Sequence, residues 1–240
     1  MACDLEQQSG EGTITGGSSG TVSLTGVTAG RLLVAVLLGG TANRTWSLAD
    51  DVNGAWTLGP AVAHVGGWSA IAYCEDTGAG DTVVTATISV STGNLRWEAY
   101  EVSGAATTGA LEASDAYAET VNTDNHVCSE LGIDASAGSI IFSCSRCNST
   151  YTSGAPGTNY TDLACGGTTI EMSQYRATAG ALSGEQAPWT GTGSDRQARS
   201  AMAVFKAAAA AGHPAVKRMG GVQFAHRIGG GQMSPAVRIW

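Results

Sequence analysis

The clearest pattern in the chain is an alternation of apolar and polar side chains at every second position. In residues 82–90 the apolar positions are Val84, Ala86, Ile88 and Val90. Successive side chains of a strand point to opposite faces, so this alternation predicts a strand with one buried face. Residues 31–38 contain a continuous apolar run instead, which predicts a central strand covered on both faces.

Several weaker patterns extend this prediction along the chain. Strands are predicted at residues 68–74, 95–102, 139–144, 168–172 and 198–205, and turns at the Gly, Asn and Asp clusters 51–54, 78–81, 92–94 and 153–158. Helical periodicity is nearly absent. The sequence therefore predicts an all-β fold, an antiparallel, jelly-roll-like β-sandwich. With no repeat of fixed period and no linker, we expect one sandwich rather than two domains.

The pattern also suggests how the chain is organised. Residues 1–20 are polar and rich in Gly and Ser, and we expect a flexible N-terminal segment there. Residues 21–206 are expected to form the sandwich body. Residues 207–240 begin with an alanine spacer and continue as an irregular arm, because the Gly pair and Gly triplet within it are costly to order.

Composition supports a soluble, turn-rich chain. Gly accounts for 34 of 240 residues and charged residues for only 13%. The first twenty residues contain no apolar signal-peptide core, and the run 32–38 is far too short to span a bilayer. We therefore expect no membrane association and folding in a cytoplasm, where the six cysteines would be free thiols.

The charge is unevenly distributed. The net charge is −8, but residues 213–240 contain no Asp or Glu and four cations, which leaves 8 cations against 20 acids elsewhere. A basic arm on an acidic body predicts that the arm binds an acidic protein surface, although a solvated end without a role remains open. The acidic body argues against nucleic acid. The expected contacts are the cations and two aromatic anchors of the arm: Lys217, Arg218, Phe224, Arg227, Arg238 and Trp240.

Three short motifs invite a chemical interpretation. Cys144 and Cys147 form a C-x-x-C that could bind zinc, form a disulfide or remain as thiols; on a continuing strand they would face opposite sides. Residues 50–54 could bind calcium, but Asn53-Gly54 favours a hairpin turn. Glu98 and Glu101 have an odd separation, so on a strand they could not share an acid–base site.

Nothing in the sequence indicates catalysis. The four histidines are scattered, and no nucleophile elbow, P-loop or zinc-protease motif is present. We expect no enzyme activity, no metal and no cofactor. The large aromatic residues could instead form a carbohydrate-stacking platform or could pack in the core. The possible platform residues are Trp46, Trp56, Trp68, Trp97, Trp189 and Tyr151, with Trp56 and Trp68 as the leading candidates.

Two parts of the chain resemble phage proteins. The segments Arg31-Leu-Leu-Val, Trp46-Ser-Leu-Ala-Asp-Asp, Ser69-Ala-Ile-Ala-Tyr-Cys, Gly80-Asp-Thr-Val-Val and Tyr100-Glu-Val-Ser-Gly resemble the jelly-roll-like sandwich modules of many tailed-phage structural proteins and some secreted bacterial proteins. Residues 217–226 and 237–240 resemble the basic, aromatic C-termini of small virion proteins. Residues 111–199 match nothing that we can name.

The resemblance implies a component of a virion assembled in the host cytoplasm. The expected role is that of a capsid decoration (cement) protein or head fibre that stabilises the capsid surface. The implied partners are the major capsid protein or another virion protein, and copies of the chain itself, with a trimer favoured. The alternative is a tail-associated, carbohydrate-binding adhesin module.

Overall fold

The computed structural model describes residues 1–40, 45–64, 67–89, 94–120, 125–147, 151–168, 171–193 and 197–209, and every regular element in these ranges is a β-strand. The strands form antiparallel sheets that stack face to face. The predicted all-β sandwich class is therefore confirmed.

The first half of the chain forms one two-sheet sandwich. Its strands are β1 Asp4–Gln8, β2 Gly12–Thr15, β3 Ser19–Val27, β4 Leu32–Gly39, β5 Trp46–Asp50, β6 Gly54–Ala55, β7 Thr57–His64, β8 Gly67–Cys74, β9 Gly80–Ile88 and β10 Asn94–Ser103. The first inner sheet has the order β1-β10-β4-β8-β7, with β2 also paired to β10. The first outer sheet has the order β3-β9-β5-β6.

The second half forms another sandwich. Its strands are β11 Leu111–Ala118, β12 Asn125–His126, β13 Ile133–Ala135, β14 Ile140–Cys147, β15 Tyr151–Pro156, β16 Thr161–Thr168, β17 Glu171–Ala177, β18 Leu182–Glu185, β19 Trp189–Gly193 and β20 Ala198–Phe205. The second inner sheet has the order β11-β20-β14-β17-β16. Two small outer sheets, β12-β19-β15 and β13-β18, cover its other face.

The two halves have the same topology. The order β11-β20-β14-β17-β16 repeats β1-β10-β4-β8-β7, and β13 pairs with β18 as β3 pairs with β9. Residues 1–210 form one compact unit, as expected, but this unit contains two like sandwiches whose inner sheets share a core, where a single sandwich was expected. The repeat is hidden in the sequence because equivalent positions carry unlike residues. For example, Leu38 on β4 and Arg146 on β14 occupy equivalent positions. Leu38 pairs with Arg96 of β10, and Arg146 pairs with Arg199 of β20.

Three apolar cores separate the layers. Alternate residues of β4 contribute to two of them: Val34 and Val36 pack against the second inner sheet, and Leu33 and Ala35 pack against the first outer sheet. A third core lies between the second inner sheet and its outer sheets. Because β4 is covered on both faces, all its residues are buried, as its continuous apolar run predicted.

The strands also define two ends of the body. At the distal end, β4 finishes at Gly39, β10 begins at Asn94, β14 finishes at Cys147 and β17 begins at Glu171. At the proximal end, β10 and β20 finish, and Ala207 forms a β-bridge with Ala105. The backbone N–H of Ala208 donates to the carbonyl of Gly104 (2.7 Å), so the first residues of the predicted alanine spacer still contact the body.

The first twenty residues differ from the flexible segment predicted. They supply β1 and β2, which complete the edge of the first inner sheet beside β10. Cys3 and Ile14 are each 2% exposed. Gly12 lets the chain approach closely, since a Cβ there would lie 2.8 Å from the Trp97 ring. Polar composition concealed these strands because edge strands bury only a few side chains.

Most strands predicted from alternation are present within a residue or two. Residues 198–205 match β20, and Val84, Ala86 and Ile88 on β9 are buried as predicted. The strand predicted at 168–172 is wrong, since this segment contains the end of β16 and the start of β17. The two strands pair with each other in antiparallel orientation.

Candidate functional site

The predicted arm contacts lie outside the described residues. This holds for Lys217, Arg218, Phe224, Arg227, Arg238 and Trp240. Their role as partner contacts stays a prediction, which rests on sequence charge and composition.

The two predicted stacking residues are buried. Trp56 is 5% exposed, and its indole Nε1 donates to Asp50 Oδ2 at 2.7 Å. Trp68 is 4% exposed, and its ring stacks on that of Trp46 with centroids 5.6 Å apart and planes 7° apart. Neither ring offers an open face to a sugar, so Trp56 and Trp68 do not form the exposed platform considered from the sequence.

The loop at residues 50–54 is a hairpin turn, as the Asn-Gly pair predicted. Asp50 pairs with Gly54 across β5 and β6, and Gly54 has a left-handed φ of 81°. The Asp50 carboxylate accepts hydrogen bonds from the backbone N–H groups of Val52 (2.8 Å) and Asn53. Both of these bonds go to Oδ1, while Oδ2 accepts from the Asn53 side-chain amide (3.0 Å) and the Trp56 indole (2.7 Å), so hydrogen bonds within the turn engage both carboxylate oxygens.

The C-x-x-C cysteines face opposite sides of β14, as their spacing predicted. Cys144 lies in the core between the inner sheets, and Cys147 lies in the core of the second sandwich. Both are free thiols, and burial raises the pKa of Cys147 to about 12. Among the described residues, no group of three or more His, Cys, Asp and Glu side chains could hold a metal ion.

Glu98 and Glu101 also face opposite sides of their strand, as expected. Glu98 is fully buried between the inner sheets, where it accepts a hydrogen bond from the Tyr100 hydroxyl (2.9 Å) and where burial raises its pKa. Glu101 accepts a hydrogen bond from the backbone N–H of Thr28 (2.9 Å). Each carboxyl therefore supports local structure, and the two do not form an acid–base pair.

One charged cluster was not anticipated from the sequence. At the distal end, Arg96 Nη1 lies 3.1 Å from Glu11 Oε1, and Arg96 Nε lies 3.1 Å from Glu171 Oε2. Glu171 also pairs with Arg146, whose pKa is lowered by burial and by Arg96. This chain of alternating charges joins the first half to the second across the inner sheets.

The cluster lines a cavity of about 190 Å³ between the two inner sheets. Its carboxylates and guanidinium groups already neutralise one another, and Glu171 is 5% exposed. Such a buried network fixes the register of the two sheets more readily than it performs acid–base chemistry. No periodicity could reveal it, because its members come from β10, β14, β17 and the turn before β2.

The described part of the chain is strongly acidic, with 18 Asp and Glu residues against six Lys and Arg residues. Four of the six cations are in ion pairs and Arg199 is 1% exposed, so Lys206 is the one exposed cation of these ranges. Exposed acidic residues include Asp4, Asp51, Asp76, Asp81 and Glu112.

Comparison with known proteins found no match to any family model, curated protein or solved structure. Within the described ranges, the structure holds no helix of the length and apolar character that a membrane span requires.

Proposed function

We propose that the protein is a non-enzymatic structural component of a tailed-phage virion. In this proposal the double sandwich decorates the capsid surface and the arm, residues 207–240, attaches it. The observation that carries the proposal is the separation of charge. The described body has 18 acids against six cations, of which five are paired or buried, whereas residues 213–240 have four cations and no acid.

The body supports an architectural role. Its three cores bury nearly every apolar side chain of the inner strands, and inter-sheet contacts such as the Ser69 hydroxyl bond to the Arg199 carbonyl (2.6 Å) join the halves. A body of this kind is rigid. An arm that orders only on its partner can cover a large surface, and several copies acting together would gain by avidity.

The partner implied by the basic arm is an acidic protein surface, and the phage resemblance points to the major capsid protein. The body would repel an acidic surface unless the arm made the contact. We therefore expect binding that weakens steeply with salt, because exposed charges are screened over about 10 Å at 0.1 M salt. The proposal includes a trimer of this chain, which a measurement of the molecular mass of the free protein in solution tests.

Deletion from His213 onward followed by co-sedimentation with capsids of the encoding phage tests the proposal. We expect the full chain to co-sediment and the truncated chain to remain in the supernatant. Neutralising Arg218, Arg227 and Arg238 to glutamine should weaken binding at least tenfold. The matched control is Arg176→Gln, which removes a cation of the body paired with Glu185 (2.9 Å).

Two results would count against the proposal. Undiminished binding by the truncated chain would remove the arm from attachment. Failure of the full chain to bind any particle of the phage would reject the virion role itself.

A further inference from the structure

The cavity at the distal end has a floor formed by β2 and β10. Thr13 lies opposite Arg96 and Thr15 lies opposite Asn94, and all four residues line the cavity. Residues directly opposite on paired antiparallel strands have their side chains on the same face, so strand geometry brings these four side chains together. Ile14, between the two threonines, points the other way into the core of the first sandwich. Thr13, Thr15 and Asn94 are exposed, so the floor is accessible from solvent.

The opposite wall of the cavity comes from the second half of the chain. Arg146 on β14 and Glu171 on β17 are paired residues, and both are almost fully buried. A glycine makes room for the arginine, since a Cβ on Gly67 would lie 2.6 Å from Arg146 Cδ. The Arg146 guanidinium is therefore held between the inner sheets. Its Nε donates to no acceptor in the described part of the chain, so some of its hydrogen-bonding capacity is unused.

The side chains around the cavity carry a net positive charge. Among the described residues, its lining includes two guanidinium groups, those of Arg96 and Arg146, and one carboxylate, that of Glu171. Of the 18 acids and six cations in the described ranges, 17 acids and four cations therefore lie elsewhere. A cleft lined by an excess of one charge attracts ions of the opposite sign. The cavity is thus a place where an anion can approach a body that otherwise repels it.

The carboxylate of Glu11 is the one that an incoming anion can displace. Glu11 does not line the cavity, and in its ion pair with Arg96 (3.1 Å) the two side chains are 26% and 36% exposed. Ion pairs between exposed side chains contribute little to stability, because water solvates both charges. Glu171 is different, since it is 5% exposed and is held by both Arg96 and Arg146. An anion would therefore replace Glu11 on Arg96 and leave the buried part of the network in place.

From this arrangement we propose that the cavity binds a small oxyanion, the carboxylate or phosphate group of a ligand, with Arg96 as its main contact. A guanidinium group matches two oxygens of such a group and adds charge to both hydrogen bonds. The hydroxyls of Thr13 and Thr15 and the amide of Asn94 are donors for the remaining oxygens. The volume of about 190 Å³ is below the roughly 300 Å³ at which pockets for drug-sized ligands begin, so the cavity suits a single acid group.

The proposal does not depend on the virion role, which rests on the arm. All residues that line the cavity belong to the body. The two proposals can therefore fail separately, and the experiments below distinguish them.

Proton–nitrogen correlation NMR of the full chain tests the proposal, because it shows where on the protein an anion binds. The probes are sodium phosphate and sodium acetate, each titrated at a constant ionic strength of about 0.15 M set with sodium chloride. We expect the backbone amide signals of Thr13, Thr15 and Asn94 to shift saturably with at least one probe, with a Kd of about 1 mM. A response to phosphate alone would assign a tetrahedral group to the site, and a response to acetate alone a carboxylate.

Variants distinguish this site from a general attraction of anions to the chain. Arg96→Gln should weaken binding at least tenfold, because it removes charge-assisted hydrogen bonds, and Thr15→Val about threefold. Glu11→Gln should strengthen binding about threefold, because it removes the carboxylate that competes for Arg96. The matched controls are Arg31→Gln and Glu6→Gln, which break another ion pair of the same half (3.5 Å) and should leave binding unchanged.

Three results would overturn the proposal. They are the absence of saturable shifts at the floor amides with both probes, equal binding by Arg96→Gln and the unchanged chain, and weaker binding by Glu11→Gln. If Arg96→Gln does not fold, Glu11→Gln and Thr15→Val decide, because both of these residues are exposed. Capsid co-sedimentation by Glu11→Gln should equal that of the unchanged chain, so that failure of this proposal and failure of the virion role can be told apart.

Discussion

Acidification should destabilise the protein through His126. This residue lies on β12 opposite Trp189, is fully buried, and has its pKa lowered from 6.5 to about 4 by burial, which the nearby Glu119 only partly offsets. The folded state therefore keeps a neutral imidazole, while the unfolded chain takes up a proton below pH 6.5. Stability is fully present above that pH and is lost as the pH falls towards 4.

The size of the loss follows from the two pKa values. Between pH 7 and pH 5, linkage to His126 alone removes about 2 kcal/mol, and the complete shift corresponds to about 3 kcal/mol. Urea unfolding of the wild-type chain and of His126→Gln at pH 7, 6 and 5 measures it, because other titrating groups are common to both proteins.

The expected result is a difference in unfolding free energy that changes by about 2 kcal/mol from pH 7 to pH 5, with the variant losing less. Parallel pH profiles for the two proteins would refute the reasoning. They would mean that His126 has the same proton affinity in the folded and unfolded chain.

Three further predictions concern the cores. Phe142→Ala should lower the free energy of unfolding by about 3–5 kcal/mol in urea titration, because Phe142 packs between the inner sheets against Tyr100 and Phe205, and a loss below about 1 kcal/mol would contradict that placement. Glu98→Gln should become more stable relative to the wild type as the pH rises above about 4.5, because the raised pKa of Glu98 in the folded state means that ionisation disfavours folding. The same difference in unfolding free energy between the two proteins at pH 4 and at pH 7 would contradict this. A thiol reagent at pH 8 should modify Cys74 slowly and the five buried cysteines only after unfolding. The reason is that burial raises the pKa of Cys3 and Cys74 to about 11 and that of Cys128 to about 12. Rapid labelling of all six cysteines in the native protein would show that the cores open.

The periodic segments show how far local pattern reaches. The strands β9, β4 and β20 could be recognised from the sequence because burial leaves a pattern there. Burial of one face gives alternating apolar residues, and burial of both faces gives a continuous apolar run. The opposite facing of Cys144 and Cys147, and of Glu98 and Glu101, followed from the same geometry. Each of these inferences needed only the spacing of residues along one strand.

Edge strands and short turns show where local pattern fails. β1 and β2 are polar and were expected to be flexible, yet pairing with β10 orders them. Residues 168–172 were predicted as one strand, yet β16 ends at Thr168, β17 begins at Glu171 and the two strands pair with each other. In both cases the deciding interaction is pairing with another strand, which leaves no period in the segment itself.

The sequence by itself determined the all-β class, the central strands and the face on which each side chain of those strands lies, because these depend on the two-residue period of an extended chain. Only the tertiary structure decided that the body contains two like sandwiches, that Trp56 and Trp68 are buried, and that Arg96, Arg146 and Glu171 meet. Burial and charge pairing depend on which sheet covers which. The sheets that cover one another are chosen by contacts between residues as far as 202 positions apart, such as Cys3 and Phe205, for which a single sequence carries no local signal.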